Sequence, residues 1–93
     1  MCERYSITNA SQVREELSTK LKDGHYLSRI FTKLNWVLWH PSKKNITYQG
    51  NRILRIRVGS HRFCAEIIDD CQVQIYKIAL FHKGQAEYYC PEP

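Results

Sequence analysis

A strict alternation of apolar and basic residues constrains the fold of this chain more than any other feature. The apolar members are Leu54, Ile56 and Val58, and the basic members between them are Arg55 and Arg57. Successive side chains of a strand point to opposite faces, so the alternation predicts a strand with one apolar and one cationic face. We expect such a strand to pack its apolar face on a second layer.

A first amphipathic helix is predicted ahead of this strand. Val13, Leu17 and Leu21 recur every four residues among charged neighbours, which is typical of a helix that buries one face. Asn9 with Gln12 three positions later matches a capping box at its start. We expect the helix to end at Asp23-Gly24.

A second helix of about 15 residues follows in the prediction. Its apolar face comprises Leu27, Ile30, Phe31, Leu34 and Leu38. Pro41 disfavours continuation of a helix at the preceding residue, so we expect it to end there. With only a short connection between them, the two helices are expected to form an antiparallel hairpin.

The rest of the chain is predicted to form strands. Residues 5–8 are a short β-prone run, 41–51 have the composition of a loop with a brief extension at 46–48, and 61–68 and 72–81 follow the alternating strand after tight turns. Residues 1–93 are too few for a second substantial core. We therefore expect one α+β domain: an N-terminal strand, a two-helix hairpin and a three-stranded antiparallel meander, with the helices packed on one face of the sheet.

Four cysteines are predicted to be free thiols. The first residues contain no apolar core of a signal peptide, so we expect a cytoplasmic protein, and disulfides are rare in that compartment. The cysteines contain no Cys-x-x-Cys pair and the histidines are scattered, so we expect neither a metal nor another cofactor. These residues are Cys2, Cys64, Cys71 and Cys90, and His25, His40, His61 and His82.

Positive charge is concentrated in the middle of the chain. The 14 Lys and Arg exceed the nine Asp and Glu by five, yet none of the 42 residues between Asp23 and Glu66 is acidic, and eight of them are basic. Such asymmetry indicates a positive field over part of the surface, for which phosphate is a common partner. A solvated basic face that keeps the protein soluble is the alternative.

Three arginines are expected to converge on one surface. Arg55 and Arg57 lie two apart on a strand, about 6.5 to 7 Å from each other on the same face, and Arg62 opens the next antiparallel strand. Guanidinium groups repel one another, so a cluster costs stability unless an anion lies between them or they splay into water. The antiparallel order also returns the end of the last strand, with His82 and Lys83, towards Arg62.

The run from Arg55 to residue 70, followed by an apolar strand, His82-Lys83 and Tyr89, resembles the RelE/ParE superfamily of bacterial toxins. The family pattern is basic-apolar-basic-apolar-Gly-x-aromatic-Arg, then a strand, an acidic turn, another strand and a terminal basic segment that ends in Tyr. The resemblance implies an mRNA interferase, an endoribonuclease that a cognate antitoxin holds inactive and that, in RelE proper, cuts mRNA in the ribosomal A site.

The resemblance also implies roles for seven residues. Four are implied catalytic residues: Arg62, Lys83, His82 and Tyr89, of which the tyrosine stacks on a base. Three are implied RNA- and phosphate-binding residues: Arg55, Arg57 and His61. The sequence departs from the family where arginines replace lysines on the first basic strand, where His61 replaces an aromatic residue, and where Gly84-Gln85 interrupt the terminal basic cluster.

RNA cleavage of this kind needs no metal. The 2′-hydroxyl attacks the adjacent phosphate when it is deprotonated and in line, and preorganised guanidinium groups stabilise the extra negative charge of the phosphorane. A histidine is the natural group for proton transfer near neutral pH, and the sequence leaves the choice between His82 and His61 open.

Two other functions compete with this interpretation. One is a ParE-like toxin that inhibits DNA gyrase by binding and cleaves nothing. The other is a basic nucleic-acid-binding domain outside the superfamily that stacks bases on Trp36 and Trp39. We expect those indoles instead to pack in the core or to contact an antitoxin helix, because they lie off the main apolar stripe of the second helix. We expect no membrane partner, and the sequence leaves the oligomeric state open.

Overall fold

The computed structural model describes residues 2–21, 23–80 and 88–93. In chain order the elements are β1 (Ser6–Ile7), α1 (Ala10–Lys20), α2 (Gly24–Trp39), β2 (Ile46–Gln49), β3 (Ile53–Val58), β4 (His61–Asp69) and β5 (Gln72–Leu80). These strands form one sheet in the order β1-β5-β4-β3-β2. None of the helices in the described ranges is long and apolar enough to cross a membrane.

The three-stranded antiparallel meander expected from the sequence is wrong. β3, β4 and β5 do pair in succession, but they belong to a five-stranded mixed sheet. β2 pairs antiparallel with β3, and β1 pairs parallel with β5. Within residues 41–51, expected to be a loop with a brief extension at 46–48, Ile46–Gln49 form an edge strand. The two-residue strand β1 at the other edge pairs with β5, far along the chain.

Alternate residues of the sheet and the apolar stripes of both helices form the larger of two hydrophobic clusters of described residues, the core between the helices and the sheet. Val13 and Leu17 from α1 and Ile30, Leu34 and Leu38 from α2 lie in this core. The sheet contributes Ile46 from β2, Leu54, Ile56 and Val58 from β3, Phe63 and Ala65 from β4, and Val73, Ile75 and Ile78 from β5. The helices therefore lie on one face of the sheet, and the opposite face carries the residues between these positions.

Asp23 begins α2 rather than ending α1. α1 ends at Lys20, and the Asp23 carboxylate accepts hydrogen bonds from the backbone N–H groups of His25 (2.9 Å) and Tyr26 (3.4 Å). A carboxylate at this position satisfies amides that have no partner inside the helix.

Asn9 does not form the predicted capping box. Its side-chain amide donates to the backbone carbonyl of Ile75 (2.8 Å), and its carbonyl oxygen accepts from the Ile75 N–H (3.1 Å). The register between β4 and β5 shifts at this point, from Cys64 opposite Lys77 to Ala65 opposite Ile75, which leaves Tyr76 as an extra residue. Asn9 therefore satisfies the backbone groups that a bulge removes from the ladder.

The prediction of four free thiols is wrong. Cys2 and Cys71 form one disulfide and Cys64 and Cys90 another, with Cα atoms 5.9 and 5.7 Å apart. The sheet topology explains both pairs. The parallel pairing of β1 with β5 brings the N-terminus to the turn before β5, and Cys64 points away from the helices towards the C-terminal residues.

Candidate functional site

The face of the sheet opposite the helices carries Arg55, Arg57 and Arg62, and we call it the arginine face. Arg57 and Arg62 are direct partners in the register of β3 and β4. Arg55 is the partner of Cys64, which in turn faces Lys77 on β5. The three arginines therefore occupy two adjacent rows of one surface, as their spacing in the sequence predicts.

Arg57 and Arg62 place two positive charges opposite each other. Like charges at directly opposed positions of a sheet are destabilising. Burial lowers the pKa of the Arg62 guanidinium from its ordinary value, and the charge of Arg57 lowers it further. Arg62 Nη1 donates to the carbonyl oxygens of Gly59 (2.9 Å) and His61 (3.0 Å), which orient it at the β3–β4 turn. An anion that touched both guanidinium groups would relieve their repulsion.

The end of the chain, residues 88–93, lies across the arginine face, and we call it the C-terminal strap. Gln49 holds it at Cys90, where the Gln49 amide donates to the Cys90 carbonyl (2.8 Å) and its oxygen accepts from the Cys90 N–H (2.9 Å). The Tyr76 hydroxyl donates to the Pro91 carbonyl (2.6 Å). Cys90 is also bonded to Cys64 and packs with Ile53.

Arg55 is engaged by this strap. Its Nη1 donates to the Tyr88 carbonyl oxygen at 3.0 Å. Its guanidinium carbon lies 5.1 Å from the centre of the Tyr89 ring, within the range of a cation–π contact. Tyr89 is nevertheless 71% exposed, so the ring has a large area free to contact another molecule. Arg55 thus positions Tyr89, while the row of Arg57 and Arg62 lies beside the strap.

His61 lies on the opposite face of the sheet from Arg62. It is only 5% exposed, its ring centre lies 6.2 Å from that of Tyr26 on α2, and Nδ1 is buried with no hydrogen-bond partner among the described residues. Burial lowers the pKa of the imidazole, and the charge of Arg62 lowers it further. The structure therefore does not bring His61 together with the arginines, because adjacent residues of a strand point to opposite faces.

The other two residues implied for catalysis, His82 and Lys83, lie outside the described residues. Of the seven implied residues, the structure brings Arg55, Arg57, Arg62 and Tyr89 to one surface. Within the described part of the chain, no three His, Cys, Asp or Glu side chains come together as metal ligands.

Sequence reasoning missed three residues of this surface. Lys77 is exposed in the row of Arg55 and Cys64, and Gln49 and Tyr76 hold the strap. Strict alternation from Val73 and Ile75 would turn Lys77 towards the helices. The bulge at Tyr76 instead turns it to the arginine face. The apolar Ile78 next to Lys77 was the available signal that the alternation breaks there.

Comparison with protein-family models, with curated proteins and with solved structures finds no match to this chain. The resemblance to the RelE/ParE superfamily therefore stays a prediction from the sequence.

Proposed function

We propose that the arginine face binds the phosphates of single-stranded RNA and that the protein is a RelE-like endoribonuclease that cleaves mRNA. The observation that carries this proposal is the direct opposition of Arg57 and Arg62 on one sheet face. The exposed ring of Tyr89, which contacts Arg55 in the neighbouring row, supplies a platform on which a base can stack. Phosphate recognition and base stacking together are typical of proteins that bind single-stranded RNA.

In this proposal the RNA supplies its own nucleophile. The 2′-hydroxyl attacks the adjacent phosphorus and the 5′-oxygen of the next nucleotide leaves, while the two guanidinium groups stabilise the added negative charge of the phosphorane. A preorganised donor of this kind contributes about 2.7 to 4 kcal/mol. Because His61 faces the helices, we assign proton transfer to His82, with Lys83 as a second cation.

A cognate antitoxin is the partner that we propose for α2. Trp36 and Trp39 are 57% and 54% exposed, although each has a contact, Trp36 with the His40 ring (4.6 Å between centres) and Trp39 with the Arg4 guanidinium (5.3 Å). No residue of α2 is acidic. An acidic amphipathic helix would complement both the indoles and the charge of this surface.

We place the activity in the cytoplasm, where mRNA is found, although disulfides such as Cys2–Cys71 and Cys64–Cys90 are rare in that compartment. Purified protein is incubated with bare mRNA and with ribosome-bound mRNA, and gyrase supercoiling is assayed in parallel. Cleavage of either RNA supports the proposal. Inhibition of gyrase without cleavage would replace it with a ParE-like function. If the protein shows neither cleavage nor gyrase inhibition, both functions are overturned.

Arg62→Ala is the variant that links cleavage to the arginine face. We expect its single-turnover cleavage rate to fall by about 10² or more, as for loss of one charge-stabilising donor. Arg29→Ala is the matched control, since it removes the same charge from an exposed position on α2, on the other side of the molecule. Equal rates for the two variants would contradict the assignment.

A further inference from the structure

We infer that the Cys64–Cys90 disulfide is a redox latch that holds the C-terminal strap on the arginine face and thereby positions Tyr89 for RNA. The inference rests on the proposed function, because it concerns the same site. It adds a control of that site by oxidation and reduction, and it assigns positioning roles to Cys64, Cys90 and Gln49.

The disulfide joins the strap to the row that contains Arg55. Cys64 is the registered partner of Arg55 on β4, and its sulfur points to the strap side of the sheet. Cys90 is the residue after Tyr89. One covalent bond therefore fixes the backbone of the residue next to the stacking ring over the strand pair that carries the arginines.

The strap is also held by noncovalent contacts, among them the packing of Tyr88 against Ile53, Cys64 and Cys90. Within the described residues they include the two Gln49 hydrogen bonds to Cys90, the Tyr76 bond to Pro91 and the Arg55 contacts with Tyr88 and Tyr89. Residues 91–93 are exposed. Each such hydrogen bond stabilises modestly, and chain termini fray unless something ties them down. The disulfide adds a covalent bond one residue from Tyr89, and we assign the fixed position of Tyr89 to that bond.

Reduction by a thiol follows ordinary exchange chemistry. A thiolate of a dithiol reductant attacks the sulfur of Cys90, the less buried residue of the pair, and the sulfur of the fully buried Cys64 leaves with the bonding electron pair and takes up a proton. The second thiol of the reductant displaces Cys90 in the same way. The reductant ends as a disulfide and the protein as two thiols, so two electrons pass to the protein.

Release of the strap changes how the surface meets RNA. Tyr89 leaves the Arg55 guanidinium and loses its fixed place on the arginine face. A stacking ring on a free chain end must be ordered again on binding, which costs affinity. The arginine face therefore binds single-stranded RNA more tightly when Cys64–Cys90 is oxidised than when it is reduced.

The test uses the full chain in its oxidised and dithiothreitol-reduced forms. Affinity is measured by fluorescence anisotropy with a single-stranded RNA whose 2′-oxygens are methylated, so that it has no attacking hydroxyl. Hydrogen exchange of the Cys90 amide, the donor to Gln49, reports the position of the strap independently of RNA. We expect reduction to weaken binding at least fivefold, the low end for loss of one stacked base, and to speed exchange of this amide.

Three variants separate positioning from general loss of structure. Cys64→Ala/Cys90→Ala keeps the other disulfide and should bind RNA as weakly as the reduced protein, with no further response to reductant, so that it also measures any effect of opening Cys2–Cys71. Tyr89→Ala should likewise bind weakly in both redox states. Gln49→Ala keeps both disulfides, so it is expected to fold and to show faster exchange of the Cys90 amide. Circular dichroism of each variant reports its fold.

The outcomes distinguish failure of the latch from failure of the proposed function. Equal RNA affinity before and after reduction, or a redox response that persists in Tyr89→Ala, overturns the latch while RNA binding stands. An amide of Cys90 that exchanges equally slowly in both states overturns it too. If neither redox form binds RNA, the proposed function is overturned and the latch with it.

Discussion

His61 is kept uncharged by its surroundings. The hollow that His61 lines is also lined by Tyr26 from α2 and Lys20 from α1, and no acidic residue lines it in the described part of the chain. Burial and the Arg62 charge both disfavour the imidazolium, so the pKa in the folded protein is below the ordinary value of 6.5. A residue that the sequence offers as an acid or base is therefore better described as part of the packing beneath the helices.

The lowered pKa of His61 predicts a loss of stability in mild acid. As the pH falls through 6.5 the unfolded chain takes up a proton that the folded protein does not, until the pH passes the lower folded pKa. The free energy of unfolding should decrease across this window. Urea unfolding between pH 7 and pH 5 measures it for the wild type and for His61→Gln.

His61→Gln is expected to lose less stability over this range than the wild type. His25→Gln is the control, because it makes the same substitution at an exposed position on α2. The interpretation fails if His61→Gln and the wild type lose equal amounts of stability.

At the scale of the elements, the bulge in β5 determines which residues reach the arginine face. It turns Lys77 outwards and Ile78 inwards, and the Asn9 side chain binds both backbone groups of Ile75 next to it. The residue before α1 is thus coupled to the strand that borders the site. The sequence pattern at Asn9 suggested only a local helix cap, because no local rule relates it to a residue 66 positions away.

Asn9→Ala should destabilise the protein by about 1 to 3 kcal/mol. The substitution leaves the N–H and C=O of the buried Ile75 without their side-chain partner. The expected destabilisation is the usual cost of leaving buried polar groups without a hydrogen bond. Gln12→Ala is the control, since its contact with Asn9 is exposed. Equilibrium urea unfolding of both variants checks the prediction, and equal stabilities would show that Ile75 finds other partners.

At the scale of the whole molecule, two disulfides close loops across the sheet. Cys2–Cys71 spans 69 residues and Cys64–Cys90 spans 26. A crosslink over a long loop restricts the unfolded chain most, and a native disulfide in a small domain is typically worth about 2 to 5 kcal/mol. The stability of the fold thus depends on the two disulfide bonds as well as on the hydrophobic core.

Cys2→Ser/Cys71→Ser should lower the free energy of unfolding by about 2 to 5 kcal/mol relative to the oxidised wild type. Denaturant unfolding without reductant measures this difference. The wild type unfolded in reductant serves as the comparison in which both crosslinks are open. Titration of the unreduced, denatured wild type with a thiol reagent should find no free cysteine, and four free thiols would contradict the pairing.

Local periodicity predicted the helices and the strand of the arginines, but not the architecture. Val13 with Leu17, and Leu54 with Ile56, reveal which face is buried because each pattern lies within one element. The parallel pairing of β1 with β5, the edge strand β2 and both disulfides join residues far apart in the chain. Such pairings are decided by packing of the whole sheet, and β1 and β2 are too short to carry a pattern of their own.

The same difference between local patterns and long-range contacts applies to the candidate site. Arg55, Arg57 and Arg62 could be placed on one face because period two and a short turn determine their positions. The placement of His61 on the opposite face follows from that alternation too, since it directly precedes Arg62. The strap could not be anticipated, because its place depends on Gln49, Cys64 and Tyr76 from three different strands.

The salt dependence of RNA binding tests the role of the arginine face most directly. Each phosphate that a protein neutralises on a single strand contributes about −0.7 to the slope of log K against log salt concentration. The measurement compares oxidised wild type, Arg57→Ala, Arg62→Ala and the α2 control Arg29→Ala on one single-stranded RNA. We predict that the two face variants bind more weakly and that each reduces the steepness of the slope by about 0.7, while Arg29→Ala retains the wild-type slope. Identical slopes for all four proteins would contradict phosphate binding by Arg57 and Arg62.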